Sequence, residues 1–303
     1  MKPRRTATII TTALLLASIA GSVLVLRRLD ALRGSQATLE EVLYIPSGKV
    51  LKRASLGYSG LLADIYWTRA VQYFGSKHIY GATRYDLLYP LLDITTDLDP
   101  HLIVAYQFGS IFLSQKPPGG AGQPDKAVAL VEKGIRENPS YWRLYFTLGF
   151  IHYLDRRDYK AAQQAFEKGS QIPGALPWMK VMAARMAENA EDINTALALW
   201  QAVYDTTQDS TTRDTALKHI ASLRAEEEIN QLTQQIDYYR QREGRQPSSW
   251  SDLVRAGFLR GVPVDPFGAP YELKPDGTVN VQDPSKFPFL GDFERERKHA
   301  AAR

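Results

Sequence analysis

Ala127, Ala162 and Ala196 follow one another at steps of 35 and 34 residues, and Val131, Phe166 and Trp200 repeat the same two steps four positions later. Two registers in agreement mark an internal repeat. A unit of this size cannot bury its apolar face alone, so copies must stack and complete one another's core. Three helix pairs can be read around this skeleton. The first runs from Ile103 to Asn138, the second from Tyr141 to Ile172 and the third from Pro177 to Thr206, each with apolar residues at three- and four-residue spacing. Each first helix carries a small residue, Gly109, Gly149 or Ala184, where two backbones must come close. Pro100 and Pro139 stand where a preceding helix must stop.

The best copy, with Tyr145, Leu148, Gly149, Ala162, Phe166 and Gly169, resembles the tetratricopeptide repeat, a helix-turn-helix unit of about 34 residues. The resemblance covers roughly residues 59 to 210. It departs from the family at the Pro/Gly-rich insertion Lys116 to Gln123 and at Ala184, where glycine is usual. An earlier, atypical pair over residues 59–99 is expected to cap the stack. In such a solenoid the first helices line a concave face. Counting from the small residue of each repeat, that face would hold Ile103, Tyr106, Ser110 and Leu113, then Arg143, Phe146, Phe150 and Tyr153, then Trp178, Val181, Arg185 and Glu188. The expected partner-binding groove is therefore Tyr106, Arg143, Phe146, Phe150, Tyr153, Trp178 and Arg185, suited to an extended or helical peptide. The same spacing also serves an intramolecular core, and the pattern alone does not separate the two.

Upstream, residues 7–26 form one uncharged apolar run between Lys2, Arg4, Arg5 and Arg27, Arg28, Arg33. Some twenty helical residues at about 1.5 Å each match a hydrocarbon core of roughly 30 Å, so a transmembrane anchor is expected. A cleaved signal peptide is the competing reading, with Ser18-Ile19-Ala20 as its small-residue site. Residues 1–33 sum to +5, which leaves −1 for the rest of a chain whose net charge is +4. The body is thus nearly neutral, which argues against a nucleic-acid partner. Slightly more positive charge before the run than after it, counting the amino terminus, places the body outside the cytoplasm: an inner-membrane, single-pass protein with a periplasmic body in a bacterium. The absence of cysteine removes lipoprotein attachment, disulfides, thiolate metal sites and cysteine nucleophiles.

Beyond the repeats, residues 213–242 read as one long helix with Leu217, Ile220, Leu223, Ile229, Leu232, Ile236 and Tyr239 on its packed face and Glu226, Glu227 and Glu228 in water. Gly244 stops it. The next stretch combines a short serine-capped helix to Ala256, a Pro/Gly loop, and a hairpin YELK-Pro-Asp-Gly-TVNV. Through Pro247, Leu253, Gly257, Leu259, Pro263, Asp265, Pro266, Gly268, Pro270 and Tyr271 it resembles the C-terminal part of the major pseudopilin of type II secretion systems. That resemblance spans some forty residues and implies a pilin-like or secretion component as partner. The N-terminus lacks that family's cleavage pattern, since Gly21 is followed by SVLVL, so the chain is not read as a pilin subunit.

No catalytic constellation is found. His78, His101, His152, His219 and His299 show no metal-ligand spacing, His152 falls at a packing position, and the loop at 117–122 lacks the Lys-Ser/Thr of a phosphate-binding loop. Asp265 reads as a turn-stabilising carboxylate. The expectation is a mainly α protein without catalytic, cofactor or metal residues. Its expected order is an anchor (1–33), a membrane-proximal linker (34–58), tetratricopeptide-like repeats (59–212), a long helix (213–243), a small pseudopilin-like α+β module (244–290) and a polar tail (291–303). The expected role is a membrane scaffold for protein–protein interactions. An envelope enzyme, or an enzyme accessory acting on polysaccharide or peptide, is the alternative.

Overall fold

The computed structural model describes residues 12–21, 23, 24, 28 and 47–291, and it is mainly helical, with one two-stranded sheet. The chain divides into two compact units, 1–99 and 100–303. Among the described residues no helix is long and apolar enough to cross a membrane. The expected anchor is only partly included: residues 12–21, 23 and 24 are helical, and the rest of 7–26 lies outside the described residues, as do 29–46 and 292–303.

In the first unit, helix α1 (Gly48–Ala54) and helix α3 (Leu88–Leu98) pack together, and α3 packs along α2 (Ser59–Ile79). Residues expected as linker therefore include a folded helix. Ser47 caps it by accepting a hydrogen bond from Val50 N at 3.4 Å. Gly48 is required there, because a Cβ would lie 2.6 Å from Cβ of Asp97 on α3. Ala63, Tyr66, Ala70, Tyr85, Leu88, Leu92 and Leu98 form the buried face of this unit.

The second unit continues with α4 (Ile103–Ser114), α5 (Pro124–Glu137), α6 (Trp142–Phe150), α7 (Tyr159–Ser170), α8 (Trp178–Asn189), α9 (Ile193–Thr206) and α10 (Ser210–Glu243). Each of these helices packs on the next in the chain, which is what short connections between amphipathic helices enforce. Three of the starts, those of α7, α9 and α10, are set by aspartate caps: Asp158, Asp192 and Asp209 accept from the amides of Ala161, Thr195 and Thr212. The Pro/Gly insertion turns back on α4. Its amides at Ala121, Gly122 and Gln123 donate to the carbonyls of Phe112, Gln115 and Leu113, groups that the helix end leaves unpaired. Between α6 and α7, residues Ile151–Arg156 form a π-helical turn that ends at Arg157 in the left-handed region, φ 56°. All six residues of the repeat skeleton are buried, each at 0 % exposure.

Helix α10 begins at Ser210, three residues earlier than the periodicity indicates, because Asp209 caps it at 2.6 Å from Thr212 N. Its first half packs Ala216, Ile220 and Leu223 against Ala196, Trp200 and Val203 of α9. Its second half gives Leu232, Ile236 and Tyr239 to a separate core with Trp250, Leu253, Tyr271, Val279, Val281 and Phe287. That core belongs to the C-terminal module: α11 (Trp250–Arg255), then β1 (Glu272–Leu273) paired antiparallel with β2 (Val279–Asn280). The expected hairpin is present, closed by Gly277 at φ 89° and by Lys274 N donating to Thr278 O at 2.9 Å. Asp265 acts within its turn, accepting from the amides of Phe267 and Ala269. The three glutamates expected in water are partly buried, and Glu228 accepts a 2.6 Å hydrogen bond from the Tyr271 hydroxyl. Burial and this carboxylate together push the Tyr271 phenol upward, so it stays a donor.

Candidate functional site

Five of the seven expected groove residues come together, four rings and Arg143. Phe146 and Phe150, one turn apart on α6, have ring centroids 4.9 Å apart, and each also meets Trp178 of α8, at 5.4 and 6.1 Å. Tyr153 on the π-helical turn extends the row from Phe150 at 6.5 Å and passes to Tyr159 at 6.2 Å. At the other end Trp142 stands edge-on to Phe146 at 6.1 Å, and the Arg143 guanidinium covers the Trp142 ring at 4.5 Å. The result is a ladder of rings across two helices with a cation at one end.

The ladder has two edges with different roles. Its inner edge belongs to the core: Phe150 meets the buried Phe166 ring at 5.2 Å and 84°, and Ala162, Met179 and Ala183 lie beneath. Its outer edge is accessible, with Phe146, Phe150 and Tyr153 half-buried and Trp178 37 % exposed. Beyond Trp178 the surface sinks into a cleft of about 510 Å³ whose apolar walls are Ala175, Pro177, Val181 and Val203. Lys180 stands at its rim, donating to Thr206 Oγ1 at 3.3 Å, while Arg213 donates to Thr207 O at 3.1 Å. Asp209, also at the rim, is held ionised by the hydroxyl and amide of Thr212, which lower its pKa. The ladder thus ends beside a cleft in which apolar side chains alternate with Ser170, Lys180, Asp209 and threonine hydroxyls.

Two of the seven groove positions, and Glu188 of the same counted face, are placed otherwise. Tyr106 is fully buried: Gly134 brings α5 so close that a Cβ there would stand 2.7 Å from the Tyr106 ring, and this ring is core, not groove. Arg185 is exposed on α8, and no described contact joins it to the ladder. Glu188, on the same counted face, points inward instead. Its Oε1 accepts from Trp200 Nε1 at 2.7 Å and from His219 Nδ1 at 2.8 Å.

The sequence reading did not foresee that second cluster. His219 is sandwiched between Trp200, at 4.0 Å and 10°, and Phe289, at 3.6 Å and 6°, so α8, α9, α10 and the C-terminal segment share one buried polar knot. Every buried polar group in it needs a partner, and the single carboxylate supplies two. The available signal was the apolar run Phe287-Pro288-Phe289-Leu290 just before the polar tail. His152 is buried as expected, with Nδ1 unpaired among the described residues. Burial lowers its pKa against the pull of Asp158 and Glu132. No group of three or more His, Asp or Glu among the described residues has the arrangement of a metal site.

No protein-family model matches the chain, and no curated protein matches it at a significant level.

Proposed function

We propose that the chain is a tetratricopeptide-type scaffold that presents the Phe146–Phe150–Tyr153–Trp178 ladder to an extended or helical segment of another protein. Residues 7–26 hold it in the inner membrane on this reading, with the body on the outer, periplasmic side. One observation carries it: the outer edge of a continuous ring ladder stays accessible and runs into a cleft walled by Ala175, Pro177, Val181 and Val203, with Lys180 and Asp209 at its rim. A row built only for packing would have that edge covered by a further helix or loop of its own unit. Aromatic anchors around a cleft are the residue types that carry most binding energy in protein interfaces. The resemblance of the C-terminal module favours a pilin-like or secretion component as the protein bound. The role needs no bound cofactor or metal and no chemical step.

The test compares envelope proteins that co-isolate with the detergent-extracted chain and with a Tyr153→Ala/Trp178→Ala variant whose helical content and melting are unchanged. Both rings reach the accessible edge but also pack inward, Tyr153 on the core cluster and Trp178 on Phe146 and Phe150, so unchanged melting is a condition of the test. Loss of one specific protein from the folded variant supports the reading. Identical co-isolation profiles refute it.

A further inference from the structure

The first unit carries a surface that the groove does not use. At the turn between α1 and α2, Val50 is 61 % exposed, Leu56 88 %, Tyr58 70 % and Leu61 60 %. Tyr58, Leu61 and Ile65 follow at three- and four-residue spacing, so they share one side of the start of α2, and all three are exposed. The backbone is bent to make this surface. Leu56 sits at φ 50° and Gly57 at φ 93°, with the turn closed by Tyr58 N donating to Ser55 O at 2.9 Å. A leucine in the left-handed region is strained, and here the strain gains no buried contact, since the side chain is directed outward. Strain held without a packing return marks a position kept for something outside the chain.

The exposed charge on α1 is all positive, and the nearest exposed acid is Asp64, between Leu61 and Ile65 on α2. Lys49, Lys52 and Arg53 are exposed beside it, none of them in an ion pair among the described residues, and residues 47–63 contain no acid. Leucine and tyrosine at the tip with lysine and arginine behind is the composition that dips into the boundary between headgroups and acyl chains while its cations meet anionic headgroups. A protein partner of this site would have to be acidic and apolar at once. A bilayer with anionic lipid supplies both over any area. The patch begins at Val50, 24 residues after the apolar run 7–26 ends, close enough along the chain to meet the surface of the bilayer that the run is proposed to enter. We infer that the Val50–Leu61 turn is a second, peripheral membrane contact that seats the first unit on an anionic lipid surface. It shares with the proposed function only the anchor reading.

The chain has no cysteine, so single labels are clean. Leu56→Cys, Leu61→Cys and, as a control at the far end of the same unit, Thr83→Cys would each carry a nitroxide in the full chain. The chain is reconstituted into phosphatidylcholine vesicles with and without phosphatidylglycerol. The expected result is loss of collisions with an aqueous nickel relaxant at 56 and 61 in the anionic vesicles, with no loss at 83. The variant Lys49→Gln/Lys52→Gln/Arg53→Gln should restore them. Labels at 56 and 61 as accessible as at 83 overturn the inference. Burial indifferent to lipid charge and to the triple variant overturns the assignment to an anionic surface. Alkaline extraction of the same vesicles scores the anchor separately, so a chain that resists extraction yet leaves residue 56 in water fails this inference alone.

Discussion

Gly149 is where the repeat register is most sharply exposed to test. An added Cβ would stand 2.7 Å from both Cε1 and Cζ of Phe166, whereas carbon atoms rest at about 3.5–4.0 Å. The ring has no direction of retreat: it is fully buried and held edge-on by Phe150 at 5.2 Å. Overpacking of this kind costs about 1–3 kcal/mol, and a leucine, longer than the methyl that already overlaps, belongs at the top of that range. Replacing glycine within a helix returns about 0.8–1 kcal/mol. Gly149→Leu should therefore lose about 2 kcal/mol net, or roughly 4–8 °C of Tm for a body of this size. Gln164→Ala, exposed on α7, should stay within about 0.5 kcal/mol. Thermal unfolding of the detergent-solubilised chain by circular dichroism gives both values. Shrinking the obstacle provides the internal control, since Phe166→Leu combined with Gly149→Ala should cost less than the two changes summed. A Gly149→Leu chain that melts with or above the parent, or a strictly additive pair, would mean that α6 and α7 do not cross here.

Glu188→Ala removes the one acceptor of Trp200 Nε1 and His219 Nδ1, and leaving two buried donors unpaired should cost about 2–5 kcal/mol in urea unfolding, against about 0.5 or less for the exposed Arg185→Ala. Equal losses at 185 and 188 would refute the buried placement of Glu188. His152 has its folded pKa lowered by burial from 6.5, so the unfolded chain takes up that proton first. Its contribution is fully present above the unfolded value and is lost as pH falls below it. His152→Phe should accordingly show a shallower fall in stability from neutral to mildly acidic pH than the parent, and matching slopes would contradict the assignment.

The repeat was legible because its constraint is local and periodic: Ala127, Ala162 and Ala196 must be small where helices cross, whatever lies around them. The hairpin and the turn at Asp265 were legible for the same reason, as their chemistry is contained within a few residues. The groove was legible only in part. Counting along a first helix identifies a face but not what covers it, and Tyr106 is covered because Gly134, 28 residues away, lets α5 close over it. Glu188 fell on the counted face too, yet its partners come from Trp200 and His219 on two other helices, a pairing that no local spacing announces. The wetness of Glu228 was misread through the same blindness, since Tyr271 lies 43 residues downstream. The module at 244–290 read as a separate piece, whereas α10 supplies five of the eleven buried residues of its core, Ala221, Ala225, Leu232, Ile236 and Tyr239, so truncation at Gly244 would strip that helix of its cover.

The central claim is that the outer edge of the ladder is occupied by another protein, and site-specific photocrosslinking in intact cells addresses it without knowing the partner. A benzoylphenylalanine replacing Tyr153 or Trp178 would lie on that edge, and one replacing Tyr238, exposed on α10, provides the control. The account predicts a discrete adduct of one protein from positions 153 and 178 and none of the same mass from 238. A folded chain that yields no adduct at either ladder position, or the same adducts from all three, would contradict it.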